Sequence, residues 1–251
     1  MRKQLLLWIG GALVAAGVAY TYWPAQRDGH EARITKVSGD EAPSSAVQHL
    51  GTADSRTSTA SRRASTPPSH PFPEVASSRN ELSLSQDPFG ATSKAEQRWL
   101  DEHGFPNEQQ WSAYSAASDG LLQQAAVAGD VVAGTMLDIR RLPSDPLAKN
   151  RLIEAGSEGN LFALNSLAAY LAGSKDGDLL AAYAVSRASE MKGDIRLGAA
   201  RDFMMPRDLD PAEKLSAEAD ALRLYNQINL MYRERHGVDP PQSASRPVIN
   251  Q

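Results

Sequence analysis

The chain has 251 residues, a formal net charge of −4, 41% hydrophobic residues and no cysteine. The absence of cysteine excludes a disulfide framework, a thiolate metal site, a cysteine nucleophile and an acylated lipoprotein cysteine. With 17 basic against 22 acidic side chains over residues 93–251, the chain lacks the basic excess that a phosphate-binding surface needs, so nucleic acid is not an expected partner.

At the N-terminus, Arg2 and Lys3 precede an uncharged run from Leu5 to Trp23. At about 1.5 Å per residue this run spans roughly 28 Å as a helix, close to the ~30 Å hydrocarbon core of a bilayer. Tyr20, Tyr22 and Trp23 gather at the far end, where side chains with an apolar body and a polar tip sit at the headgroup boundary. Residues 1–23 are therefore expected to form a transmembrane signal anchor of the inner membrane, with its basic end in the cytoplasm and everything after it in the periplasm. Gly17-Val18-Ala19 also offers a cleavage site, which leaves secretion after signal removal as the alternative.

Residues 24–92 are rich in Ser, Thr, Pro, Arg and Gly, as in Ser58-Thr59-Ala60-Ser61-Arg62-Arg63. Large apolar side chains are too sparse there to offset the ~1–2 kcal/mol that ordering each residue costs. This stretch reads as a disordered tether with a root-mean-square reach of about 45 Å, and Arg62-Arg63 within it reads as solubility.

Helical sequence begins at Ser93-Lys-Ala-Glu96, a capping box that the spacing repeats at Asn107-Glu-Gln-Gln110. Two short helices are predicted over 94–103 and 108–117, with Trp99, Phe105, Trp111 and Tyr114 forming the core of a capping element. A helix over about 120–128 then leads to the first of three corners: Gly129-Asp130, Gly159-Asn160 and Gly193-Asp194, set 30 and 34 residues apart. Glycine suits the left-handed position after a helix and Asp or Asn caps the next one, so each dipeptide makes a sharp bend. A period of this size marks a helical array whose units bury their apolar faces only against one another.

Between the corners, Leu161, Leu164, Leu167 and Leu171 form one inward stripe, and Leu215, Ala219, Leu222, Tyr225, Ile228 and Tyr232 another. Asp145-Pro146, Asp178 and Asp210-Pro211 open the second helices. Gly237 closes the last, placing the helical domain at 93–237 and a disordered tail at 238–251.

Residues 159–193 resemble the Sel-one-like repeats, relatives of tetratricopeptide repeats. Gly159-Asn160, Ala163, Leu167, Tyr170, Gly173 and Gly177, then Asp178, Ala182-Tyr183 and Ala188, follow that family's pattern through to Gly193-Asp194. Gly129-Asp130, Ala133, Leu137, Ala148, Leu152 and Ala155 form a sparser unit without the aromatic or the glycine turn. The third unit keeps its corner but carries Arg201 where the pattern has leucine. The resemblance implies an all-α fold, a short α-solenoid of antiparallel helix pairs, with the helices at 94–117 and 211–236 as caps.

It also implies an adaptor that docks a protein partner of the cell envelope through a groove, with no catalytic residue, cofactor or metal. On this reading the six corner residues are structural. No Gly-x-Ser-x-Gly, phosphate-cradling loop or His-Glu-x-x-His is present. His30, His49 and His70 fall in the tether. His103 and His236 fall at helix ends, where a cationic imidazole complements the helix dipole. Two alternatives stand beside the adaptor: an envelope glycan-acting enzyme using acids such as Glu96, Glu102, Glu108 and Glu154, and a small-molecule module with Trp111 or Tyr183 lining a pocket.

Overall fold

A computed structural model describes residues 69–175 and 177–247. The expected transmembrane helix and most of the expected tether lie outside these residues. Among the described residues the architecture is all-α: α1 (Lys94–Glu102), α2 (Glu108–Ala116), α3 (Asp119–Val127), α4 (Val131–Arg141), α5 (Ala148–Ser157), α6 (Leu161–Gly173), α7 (Leu179–Met191), α8 (Ile195–Met204) and α9 (Pro211–His236). No helix among them is long and apolar enough to cross a membrane.

The three corners explain how so much helix is folded into a short chain. Gly129, Gly159 and Gly193 adopt φ of +99°, +92° and +114°, a region costly for any residue with a Cβ. The following residue caps the next helix in each case. Asp130 accepts from the Ala133 amide, Asn160 from the Ala163 amide and Asp194 from the Leu197 amide. Ser118 caps α3 in the same manner by accepting from Leu121.

Consecutive helices pack on one another from α3 to α8, α4 touches α6, α6 touches α8, and α9 lies chiefly across α7 with its end against α5. One apolar core runs through the array and includes Trp99, Leu122, Leu137, Leu152, Leu161, Leu164, Leu167 and Ile228. Each fully buried leucine contributes about 1.5–3 kcal/mol relative to an exposed one.

Several expectations are corrected. Asp145 does not cap α5, whose first turn has no side-chain cap at all. Its carboxylate accepts from the Leu147 amide at 2.9 Å and pairs with Arg151 at 2.6 Å, so the residue serves the turn before the helix. At Ser93 only half of the box forms. The hydroxyl accepts from the Glu96 amide, but the Glu96 carboxylate reaches the amide and hydroxyl of Thr92.

On α9 the buried residues are Ala217, Ala221 and Ile228, whereas Leu215 and Leu222 are 74% and 55% exposed. Apolar residues lie on both sides of this helix. The alanine side faces inward because small side chains let the helix approach α7, where Ala217 packs with Tyr183 and Leu209.

The packed chain also extends beyond 93–237 at both ends. In residues 69–92, Arg79 and Ala91 are buried and Phe72, Val75 and Phe89 pack on the core. In the expected tail, Arg246 is buried and the Ala244 carbonyl accepts from the Trp99 indole at 2.8 Å. Composition predicts these segments to be too polar to fold alone, and each is held instead by an arginine inserted between the helices.

Candidate functional site

The corner residues do more than cap. The Asn160 amide donates to the Thr135 hydroxyl at 2.8 Å, and the Asp194 carboxylate accepts from the Asn165 amide at 2.7 Å. Thr135 and Asn165 each stand five positions after the preceding corner residue, Asp130 and Asn160. The second and third corners are thus each tied to the helix that follows the corner before. Asn165 is fixed in turn by the Ser189 hydroxyl at 2.7 Å. The first corner, Asp130, accepts from the Tyr114 hydroxyl and lies 3.2 Å from His70 Nε2. Burial, together with the Asp130 carboxylate, pushes the Tyr114 hydroxyl far above its usual range. The repeated five-residue offset is a signal in the sequence that composition and motif reading miss.

Two buried arginines pin the flanking segments. Arg79, 1% exposed, pairs with Asp87 at 2.7 Å and Asp101 at 2.5 Å, and donates to the carbonyls of Phe105 and Pro106 at 2.8 and 2.5 Å. Arg246 pairs with Glu96 at 2.8 Å, lies 3.7 Å from Asp194, and covers the rings of Trp99 and Phe105 at 5.6 and 5.8 Å. Buried guanidinium groups need this degree of pairing, because an uncompensated charge there costs several kcal/mol.

Of the acids singled out from sequence, Glu96 is 0% exposed and is held by Arg246 and, at 3.3 Å, by Arg196. Burial pushes its carboxyl up, but the Thr92 hydrogen bonds and the Arg246 charge outweigh burial and hold it below its ordinary value. It is a structural anion. Glu154 pairs with Arg235 of α9, and Glu102 and Glu108 stand at the outer end of α1 and the start of α2.

The histidine expectation is corrected at one of its two positions. His103 is buried at the end of α1, with Nδ1 donating to the Trp99 carbonyl at 2.7 Å and its ring stacked on Trp99 at 4.1 Å. Burial pushes its pKa down, which disfavours the dipole-complementing cation. His236 lies at the end of α9, 2.8 Å from Glu158 of the turn after α5.

Trp111 packs edge-on against Phe89 and Phe162. Tyr183 donates to Glu218 at 2.8 Å, with Arg201 over its ring at 4.6 Å. Arg201 tucks its guanidinium against α7, where it also pairs with Glu190 at 2.7 Å.

Among the described residues no group of His, Asp and Glu is placed to hold a metal ion. Two open depressions lie on the surface, one of about 310 Å³ beside Met231, Glu234 and Arg235, and one of about 260 Å³ between His70, Phe72, Tyr114 and Asp130. Among the described residues, exposed large apolar side chains include Val127, Val131, Leu147 and Phe203, and three leucines of α9. Leu215, Leu222 and Leu230 of α9 are 74%, 55% and 49% exposed, and with Ala219 they fall within an arc of roughly 80° on the side away from α7. Compared with protein-family models, with curated proteins and with solved structures, the chain matches none.

Proposed function

We propose that this protein is a membrane-anchored periplasmic adaptor whose helical domain, a short α-solenoid of the Sel-one-like kind, docks a protein partner. The observation that carries the reading is the exposed stripe Leu215-Ala219-Leu222-Leu230, interrupted only by Asn226, on a 26-residue helix whose opposite side is buried. An apolar ridge with a polar rim is the surface that a partner helix or groove covers. Here it replaces the groove expected from the repeats as the first contact. The repeated corner-to-helix ties and the layered packing of α4 to α9 support the solenoid reading, and the sequence of residues 1–23 supports the anchor.

The test is capture from detergent-solubilised membranes with the full chain and with Leu215→Glu/Leu222→Glu/Leu230→Glu. These positions are exposed, so the triple variant is expected to keep its helical circular dichroism and to lose a specific envelope protein that the parent retains. An unchanged set of captured proteins would remove α9 as the docking element. Release of a shortened chain on alkaline carbonate extraction would replace the anchor with a cleaved signal.

A further inference from the structure

The residues around Arg246 have the make-up of a peptide-binding site with its ligand in place. After Gly237 ends α9, the chain returns across the array with Gln242, Ala244 and Ser245 exposed and a single side chain, Arg246, buried. That side chain enters a cage with aromatic walls, Trp99 and Phe105, and acidic ends, Glu96 and Asp194. Its Nη2 also donates to the Phe89 carbonyl at 3.0 Å.

The backbone on either side is read as well. The Arg246 amide donates to the Gly193 carbonyl at 2.9 Å, and the Trp99 indole donates to the carbonyl of Ala244 two residues earlier. Gly193 makes room for this segment, since a Cβ there would stand 3.0 Å from the Ala244 oxygen. Planar guanidinium recognition by a carboxylate, a carbonyl and aromatic faces selects arginine over lysine. The two backbone contacts fix the chain at Ala244 and at Arg246 without reading the exposed Ala244 side chain.

We propose that this cage is a docking site for an arginine carried on an extended peptide, that residues 243–247 are its resident intramolecular ligand, and that a partner engages by supplying such an arginine in their place. The proposal rests on the docking reading above but uses a different surface from the α9 stripe. One buried side chain and two backbone bonds make an exchangeable attachment. Covalent linkage keeps it occupied through high effective concentration.

The test uses the full chain carrying Arg246→Ala, which empties the cage, and a fluorescent peptide spanning residues 240–251. The peptide is expected to bind this variant at least tenfold more tightly than the unmodified chain, and a peptide carrying Arg246→Lys at least tenfold more weakly. Equal binding to both chains, or none to either, overturns the proposal. Should Arg246→Ala fail to fold, Gln242→Cys in the otherwise cysteine-free chain takes a dye, and excess unlabelled peptide is expected to lower the dye's anisotropy. No change at saturating peptide overturns the proposal equally. A dimer that Arg246→Ala abolishes would assign the cage to the tail of a second copy and overturn the partner assignment. If peptide binding fails while capture still depends on the α9 leucines, this inference alone falls. If capture fails while the peptide still binds the emptied cage, the adaptor reading falls.

Discussion

Two titratable side chains of this protein are buried at the first helix, and their surroundings shift both. Glu96 and His103 lie on or at the end of α1, and both have folded pKa values displaced downward. For His103 burial is the cause, so below about pH 6.5 the unfolded chain takes up a proton that the folded chain refuses. For Glu96 the Thr92 bonds and Arg246 overcome burial, so the unfolded chain also binds the extra proton below about pH 4.5. Both contributions are fully present above the unfolded pKa values and are lost as pH falls through the folded ones. The melting temperature is therefore expected to decline from pH 7.5 to pH 5, and His103→Gln to flatten that part of the profile. Parallel profiles for the two proteins, measured by circular dichroism, would show that the His103 environment has been misread.

At the level of elements, the corner dipeptides were legible because glycine with a positive φ and an Asx cap are local requirements that only a few residues meet. The inward stripe of α6 was legible from leucines recurring at steps of three and four, but the helix is apolar nearly all round and also buries Phe162 on the opposite side, which the stripe alone does not show. α9 was not, because Leu215 and Leu222 compete with Ala217 and Ala221, and pattern alone does not weigh close approach against side-chain bulk. Asp145 misled for a different reason. An Asp-Pro pair suits a turn as well as a helix start, and Arg151 holds the carboxylate in the turn.

The Asn160 bond to Thr135 depends on a register between units that no single motif displays. Its contribution is measurable in a double-mutant cycle. Asn160→Ala removes the α6 cap and the tie, at about 1–2 kcal/mol, and Thr135→Val removes the tie alone. A coupling energy of about 0.5–1.5 kcal/mol is expected from chemical denaturation, and strict additivity would mean that the corner is only a cap.

Across the whole molecule, the helical array is closed by two segments that composition assigns to disorder. Residues 69–92 and 243–247 have few large apolar side chains, yet each contributes an arginine with partners distant in sequence: Arg79 with Asp101 of α1 and with Phe105 and Pro106 of the turn after it, Arg246 with Glu96 of α1 and with Phe89 of the entering segment. Hydropathy and period see neither, because a buried arginine looks in sequence like any solvated one. Both pins converge on Phe105, whose carbonyl meets Arg79 and whose ring meets Arg246. The turn between α1 and α2 is thus the point where the entering and leaving chains are fastened. The proposed adaptor thus carries two distinct surfaces, the leucine ridge of α9 and the arginine cage.

The claim that the array is one body fastened by these two arginines is tested most directly by residue-resolved amide hydrogen exchange on the full chain. The Arg79 amide, which donates to Asp101 at 2.8 Å, and the Arg246 amide, which donates to Gly193 at 2.9 Å, are expected to exchange at least about tenfold more slowly than in an unstructured peptide. The cap amides of Ala133, Ala163 and Leu197 should be protected beside them. Random-coil exchange at Arg79 and Arg246 beside protected helices would contradict the account.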